Sequence, residues 1–213
     1  MQAPTALPVQ FQGSALAKRV LRWAGWHIHF DGLPARQGVI VGYPHTSNWD
    51  FILMVWVKWS IGLQIQFLAK DSLFRYPIFS RWLRSLGGVA IDRSAPNGVV
   101  GQLVQLFQTH RANQDYFWIG VAPEGTRRLT PGWKSGFYQV ALQAQVPLCL
   151  MRIDWGRKTV DFRQMLSLSG DLEADYAQMA QAFAGVQGFH PHQAAPIRPL
   201  ESGTTASIGD TRS

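Results

Sequence analysis

Apolar runs of strand length alternate with helix-like segments along this chain, and the alternation predicts its secondary structure. Two runs, 38–43 and 116–121, are apolar almost throughout, as strands buried on both faces are, and each ends at polar residues. Strands are also predicted at 64–69, 89–91, 146–153 and 159–162, and helices at 15–26, 48–59, 71–85 (broken at Pro77), 98–110 and 135–143. This alternation predicts an α/β fold: a single domain with a central, mostly parallel or mixed β-sheet flanked by helices and preceded by an N-terminal amphipathic helix.

Composition divides the chain into three parts. Residues 1–14 are rich in Gln, Pro, Ala and Gly, lack a signal-peptide pattern, and are predicted to form a flexible lead. The folded domain is expected over 15–188. From 189 to 213, Pro, Gly, Ser, Thr and Ala dominate and few large apolar residues remain, which predicts a disordered tail.

The longest apolar stretch, 51–69, has nearly the length of a membrane span. Lys58 interrupts it and Gly62 lies near its middle. A lysine at mid-bilayer costs about 3 kcal/mol. A buried helix followed by a strand is therefore the favoured interpretation, and a transmembrane helix is the alternative.

Charge and composition narrow the classes of partner. The net charge of +7 and the pI near 10.0 indicate anionic partners: nucleic acid, anionic lipid headgroups or phosphorylated substrates. The basic residues are scattered and no nucleic-acid recognition motif is present, so no nucleic-acid partner is expected. The single cysteine, Cys149, lies in an apolar run and is predicted to be a core residue. Neither a metal site nor a cofactor is indicated.

The N-terminal helix interleaves apolar and basic residues. It either packs on the domain with its Lys and Arg side chains solvated, or lies in a membrane interface with Trp23 and Trp26 at headgroup level. The pattern itself leaves both interpretations open.

Two polar blocks stand about eighty residues apart, Pro-His-Thr-Ser-Asn-Trp-Asp at 44–50 and Pro-Glu-Gly-Thr-Arg at 123–127. Each follows a predicted buried strand. Open α/β sheets bind their ligands in the crevice beyond the carboxyl ends of the strands. His45, Asp50, Glu124 and Arg127 are therefore candidates for a single cleft.

Two further blocks complete an ordered set. Gly-Val-Ala-Ile-Asp-Arg lies at 88–93, and Lys134-x-Gly136 is followed by an apolar helix and Val-Pro at 146–147. A His-x4-Asp spacing alone is weak, but four such blocks in order are specific. Together they resemble the glycerolipid acyltransferase family, whose type member acylates lysophosphatidic acid. The resemblance covers roughly residues 15–160.

The resemblance implies a reaction and a set of site residues. A fatty acyl group would pass from acyl-CoA or acyl-carrier protein to a hydroxyl of a lysophospholipid, 1-acyl-glycerol-3-phosphate foremost, at a membrane surface on the cytoplasmic face. Neither cofactor nor metal is implied, and the oligomeric state is left open. The catalytic residues would be His45 and Asp50, and the substrate-binding residues would be Lys70, Arg93, Glu124, Gly125, Thr126 and Arg127.

The residue types suit these roles. An imidazole accepts a proton near neutral pH, and a carboxylate can fix its tautomer. Positions five apart on one helix lie about 140° out of register. His45 and Asp50 can therefore meet only if His45 lies in the loop and Asp50 in the first helical turn. Guanidinium groups bind phosphate in a bidentate manner, which suits Arg127 and Arg93.

Several alternatives stay open. Ala90 and Ala122 stand where relatives often carry aromatic residues, so another acceptor such as a lyso-aminolipid is credible. Glu124 is either a substrate ligand or a structural partner of Arg127 or Arg128. An acyl-ester hydrolase would normally carry a Gly-x-Ser-x-Gly nucleophile motif, which this sequence lacks. A catalytically silent membrane-binding module is a further possibility, which the intact His-x4-Asp block opposes.

Overall fold

The computed structural model describes residues 9–70, 74–91 and 98–200. These ranges contain seven strands: β1 (His27–His29), β2 (Gln37–Tyr43), β3 (Ile65–Lys70), β4 (Gly88–Ile91), β5 (Phe117–Val121), β6 (Leu148–Asp154) and β7 (Thr159–Leu166). Six α-helices accompany them: α1 (Ala15–Trp23), α2 (Asn48–Ile61), α3 (Pro77–Ser85), α4 (Gly98–Ala112), α5 (Gly136–Ala144) and α6 (Leu172–Ala182). The predicted α/β class is confirmed, and α6 is the helix that the sequence pattern does not anticipate.

The seven strands form one mixed sheet in the order β1-β7-β6-β2-β5-β3-β4. Strand β2 lies parallel to both of its neighbours, β5 and β6, and the run continues in parallel through β3 to β4. The single antiparallel pair is β6 with β7. The carboxyl ends of β4, β3, β5, β2 and β6 consequently meet at one edge of the sheet.

Hydrophobic residues cover both faces of the sheet. Val39 and Val41 of β2 belong to a core shared with α4, α5 and α6. Ile40, between them, belongs to a second core shared with α1 and α2. Successive side chains of a strand point to opposite faces, so every residue of β2 is buried. Cys149 is fully buried in the second core, as predicted.

The apolar stretch 51–69 is divided between α2 and β3, in agreement with the favoured interpretation. The αL residue Gly62 ends α2, as glycine commonly does at this position. The Lys58 ammonium donates hydrogen bonds to the carbonyls of Ile65 and Leu86, and burial lowers the pKa of this amine. Within the described part of the chain, no helix is long and apolar enough to span a bilayer.

Two N-terminal expectations need correction. The first helix ends at Trp23, and Trp26 is buried in the second core rather than at a headgroup level. Residues 9–14 do not form a free lead: Val9 exchanges backbone hydrogen bonds with Leu33, and the Ser14 N–H donates to the Trp59 carbonyl. Residues 1–8 lie outside the described chain.

The expected tail boundary at residue 189 is wrong for residues 189–200. Ala195 is fully buried, and its carbonyl accepts a 2.9 Å hydrogen bond from the hydroxyl of Tyr43. The Leu200 N–H donates a hydrogen bond to the carbonyl of Trp133, whose own N–H donates to the carbonyl of Arg198. Few apolar residues are needed here, because this segment is held by hydrogen bonds to groups of the sheet edge. Residues 201–213 lie outside the described chain.

Candidate active site

The candidate site lies at the carboxyl edge of the three central strands. The His45 loop follows β2, the Glu124 loop follows β5, and Trp155 follows β6. Because β5, β2 and β6 are parallel neighbours, these three connections emerge side by side. The predicted convergence of the two polar blocks is therefore confirmed, and a third connection joins them.

His45 and Asp50 form a pair across the start of α2. The imidazole Nδ1 lies 3.2 Å from Oδ2 of Asp50. Ser47 is the N-cap of α2, and Asp50 is the third residue of its first turn, in a reciprocal capping box. His45 thus lies in the loop and Asp50 in the first turn, as the spacing requires. With its proton on Nδ1, the imidazole presents an unprotonated Nε2 to a substrate.

The environment of Asp50 keeps this carboxyl ionised. Its side chain is 1% exposed, whereas that of His45 is 24% exposed. Oδ2 accepts 2.8 Å hydrogen bonds from the backbone N–H groups of Thr46 and Ser47. Burial by itself raises the pKa of Asp50, but hydrogen bonds from His45, Ser47 and Trp155 outweigh burial and hold the pKa below its usual value.

Glu124 lies under the His45 loop. Oε2 accepts a 2.6 Å hydrogen bond from the backbone N–H of His45, and Oε1 accepts a 3.1 Å hydrogen bond from that of Ala195. Burial raises the pKa of Glu124 to about 7, against the opposing effect of these two donors. A buried carboxylate with both oxygens engaged does not fit the predicted role of substrate ligand. It also pairs with backbone groups rather than with Arg127 or Arg128.

Gly125, Thr126 and Arg127, the last three residues of the second block, are exposed. Gly125 has a φ of +66°, a conformation that favours glycine, and a Cβ here would lie 2.8 Å from both Cε and Nζ of Lys134. Thr126 and Arg127 follow in the same exposed turn. Among the described residues, no carboxylate forms an ion pair with Arg127. Its guanidinium is consequently available to an anion.

For two predicted phosphate ligands, Lys70 and Arg93, the side chains lie outside the described structure. Lys70 is the last residue of β3 and so reaches the same edge of the sheet, but the position of its side chain lies outside the description. Arg93 falls between the described ranges 74–91 and 98–200. Their assignment stays a prediction.

The C-terminal segment 187–195 supplies contacts that the sequence analysis missed. The His190 N–H donates a 3.0 Å hydrogen bond to Oγ1 of Thr46, next to His45. The side-chain amide of Gln193 is oriented with its nitrogen inward, and this nitrogen donates hydrogen bonds of 2.7 and 3.2 Å to the carbonyls of Arg127 and Thr46. No signal in the sequence marks this segment, because most of its contacts are made by the backbone.

Trp155 was also missed, although a signal was available. Its indole N–H donates a 2.7 Å hydrogen bond to Oδ1 of Asp50. Trp155 directly follows the buried strand β6, which is the same position relative to a strand that singled out the two polar blocks. The rule that found those blocks therefore applies to aromatic N–H donors as well.

An open α/β sheet with a buried carboxylate–imidazole pair beyond its central strands has the arrangement of groups that general acid–base chemistry uses. A family model described as Acyltransferase matches residues 26–154, and the chain belongs to this family. The resemblance drawn from the four blocks is thereby confirmed.

Individual relatives are more distant. The 1-acyl-sn-glycerol-3-phosphate acyltransferase of Cocos nucifera is 29% identical over 111 residues, which are 50% of this chain and 34% of that protein. The match thus spans about a third of the length of that relative. The crystal structure of the 1-acyl-sn-glycerophosphate (LPA) acyltransferase PlsC from Thermotoga maritima matches with a TM-score of 0.51 and 18% identity, covering 78% of this chain and 73% of that one. At this identity, the likeness concerns the fold.

Proposed function

We propose that this acyltransferase moves a fatty acyl group from acyl-CoA or acyl-carrier protein to a hydroxyl of a lysophospholipid, with 1-acyl-glycerol-3-phosphate as the foremost acceptor. The observation that carries the proposal is the 3.2 Å contact between Nδ1 of His45 and Oδ2 of Asp50, with the imidazole reachable from solvent. The names of the two relatives, both acyltransferases of 1-acyl-glycerol-3-phosphate, support the choice of acceptor.

The pair supports direct attack by the acceptor. Nε2 of His45 takes the proton of the acceptor hydroxyl as the oxygen attacks the thioester carbonyl carbon. Asp50 stabilises the imidazolium that forms, as a carboxylate does in a Ser-His-Asp triad. The tetrahedral intermediate then breaks its C–S bond, and the imidazolium returns the proton to the leaving thiolate. One C–O bond has formed, one C–S bond has broken, and His45 ends unchanged.

Arg127 is the proposed ligand of the acceptor phosphate. Its guanidinium is exposed and lies in a turn whose backbone is tied to Thr46 through Gln193. A guanidinium binds a phosphate dianion through paired N–H donors. Gly125 and Thr126 bring backbone and hydroxyl groups to the same turn. Arg93 and Lys70 are proposed as further cations for this phosphate.

We propose that the outer sides of α1 and α3 bind the membrane surface. Trp23 is 91% exposed on α1 and Ile78 is 87% exposed on α3. Both helices carry exposed basic residues, namely Lys18, Arg19, Arg22, Arg81 and Arg84. Exposed aromatic and aliphatic groups beside cations are typical of a surface that lies on anionic lipid. A peripheral location on the cytoplasmic face suits a free buried cysteine and a thioester substrate.

The test is the release of free thiol from an acyl-CoA by the purified protein in detergent, with and without lysophosphatidic acid. Release that requires the acceptor supports the proposal. Release without an acceptor indicates an acyl hydrolase, in which water takes the place of the hydroxyl. If neither condition releases thiol, the assay is repeated with acyl-carrier protein as the donor and with a lyso-aminolipid as the acceptor, to find which donor and acceptor the enzyme uses. Failure of all combinations contradicts the proposal.

A further inference from the structure

Asp50 uses its two carboxylate oxygens differently. Oδ2 contacts His45 and the backbone N–H groups of Thr46 and Ser47. Oδ1 accepts from Trp155, whose indole nitrogen lies 2.7 Å away. The carboxylate is thus held at both ends, and the indole fixes the end that faces away from the imidazole.

Trp155 itself has little freedom. Its ring packs edge-to-face against Trp26 at a centroid distance of 4.9 Å and against Phe189 at 4.7 Å. Its backbone N–H donates a 2.8 Å hydrogen bond to the carbonyl of Gln187. An aromatic ring clamped between two other rings keeps its N–H in a constant direction.

We infer that Trp155 is a positioning residue for the His45–Asp50 pair, and that its indole N–H orients the Asp50 carboxylate for proton transfer by the imidazole. The inference rests on the proposed function of the pair. Without the indole donor, the carboxylate loses one charge-assisted hydrogen bond and gains freedom to turn about its Cβ–Cγ bond. Substrate binding is unaffected, because the indole donates toward the carboxylate end that faces away from His45.

The variant Trp155→Phe tests this directly, since it keeps a ring between Trp26 and Phe189 but deletes the N–H. We expect kcat to fall about tenfold with KM unchanged. The acid limb of the kcat profile should move to higher pH, because a carboxylate with fewer donors holds the shared proton more tightly. The titratable groups that face Asp50 in the described structure are His45 and Glu124, and both are retained in this variant.

Trp118→Phe is the matched control. It makes the same chemical change, but the indole N–H that it deletes donates to the carbonyl of Ala35 at 3.1 Å and not to Asp50. This variant should keep the kcat and the pH profile of the parent. Equal losses in both variants, or a Trp155→Phe enzyme with unchanged kcat and profile, would overturn the inference. Thermal unfolding of each variant establishes that it is folded.

A second measurement does not depend on turnover. In a ¹H–¹⁵N spectrum, the indole signal missing from Trp155→Phe identifies Trp155. That signal should shift with pH in the parent protein as the pair takes up a proton, and the shift should be much smaller in His45→Gln, where Glu124 alone still titrates beside Asp50. A signal that does not respond in the parent contradicts the inference. If the thiol assay fails with every donor and acceptor, this measurement still decides the role of Trp155, so the two failures are distinguishable.

Discussion

The backbone N–H of His45 donates a 2.6 Å hydrogen bond to Oε2 of Glu124, 79 residues further along the chain. Glu124 lies at the carboxyl end of β5, directly beside the end of β2. Its other oxygen accepts from Ala195. One buried carboxylate therefore ties the His45 loop to both the second polar block and the C-terminal segment.

Glu124 should make the stability of the protein depend on pH. Burial raises the pKa of Glu124 to about 7, whereas an unfolded glutamate has a pKa of about 4.3. Between these values the native state binds the proton more tightly, so unfolding releases it. The stability that Glu124 contributes by holding this proton is fully present below the pKa of the unfolded glutamate. As pH rises from there toward 7, the free energy of unfolding falls by at most about 1.4 kcal/mol per pH unit.

Glu124→Gln removes this titration. Denaturant unfolding between pH 5 and pH 8 should show a fall for the parent protein that the variant lacks. The variant should also be less stable at pH 5 by about 1–3 kcal/mol, because the amide nitrogen of Gln faces a backbone donor. Parallel profiles for the two proteins would contradict the raised pKa.

His45→Gln should abolish most turnover while the protein stays folded. Loss of a general base lowers kcat by about 100- to 10,000-fold. The stability should change little, since the imidazole is partly exposed. The measurement is acceptor-dependent thiol release at saturating substrate. A variant with parental kcat would contradict the proposed mechanism.

His110 provides a matched control for that experiment. Its Nδ1 lies 3.2 Å from Oδ2 of Asp115, the same distance as in the candidate site. However, Asp115 is half exposed, and the pair lies before β5, at the opposite edge of the sheet. His110→Gln should therefore leave turnover unchanged. Distance alone does not define the site; the buried carboxylate at the carboxyl edge does.

Gly188→Ala should loosen the C-terminal segment from the His45 loop. A Cβ at residue 188 would lie 2.8 Å from Oγ1 and 3.1 Å from Cγ2 of Thr46. Overpacking of this kind costs about 1–3 kcal/mol, so the free energy of unfolding and the kcat should both decrease. Gly136→Ala is the stability control, since nothing lies within 4 Å of its added Cβ. If both variants unfold at the same denaturant concentration, the contact with Thr46 is unimportant.

The double variant Trp23→Ser, Ile78→Ser should bind vesicles of phosphatidylglycerol and phosphatidylcholine about tenfold or more weakly. Each substitution removes a large apolar side chain that would otherwise be buried in the membrane interface. Stability should not change, as both side chains are exposed. Leu142→Ser is the control: Leu142 is 37% exposed on α5, which packs on the face of the sheet opposite to α1. Sedimentation with the vesicles measures the bound fraction. Equal binding by the double variant and the parent would exclude this surface.

The sequence by itself determined the fold class, most of the strands and helices, and the meeting of His45 with Asp50. These features depend on local periodicity, on turn and cap residues, and on the rule that parallel strands end at a common edge. The spacing within 45–50 sufficed to place one residue in the loop and the other in the first helical turn, because helix geometry allows no other contact.

Only the tertiary structure decided the roles of Glu124, Trp155 and the segment 187–195. Glu124 has the sequence context of a substrate ligand, but burial and two backbone donors make it a support of the His45 loop. Segment 187–195 has the composition of a tail, yet it is fixed by backbone hydrogen bonds to Thr46, Glu124 and Tyr43. Hydrogen bonds made by main-chain groups leave no trace in residue type, so neither feature can be found before the chain is folded.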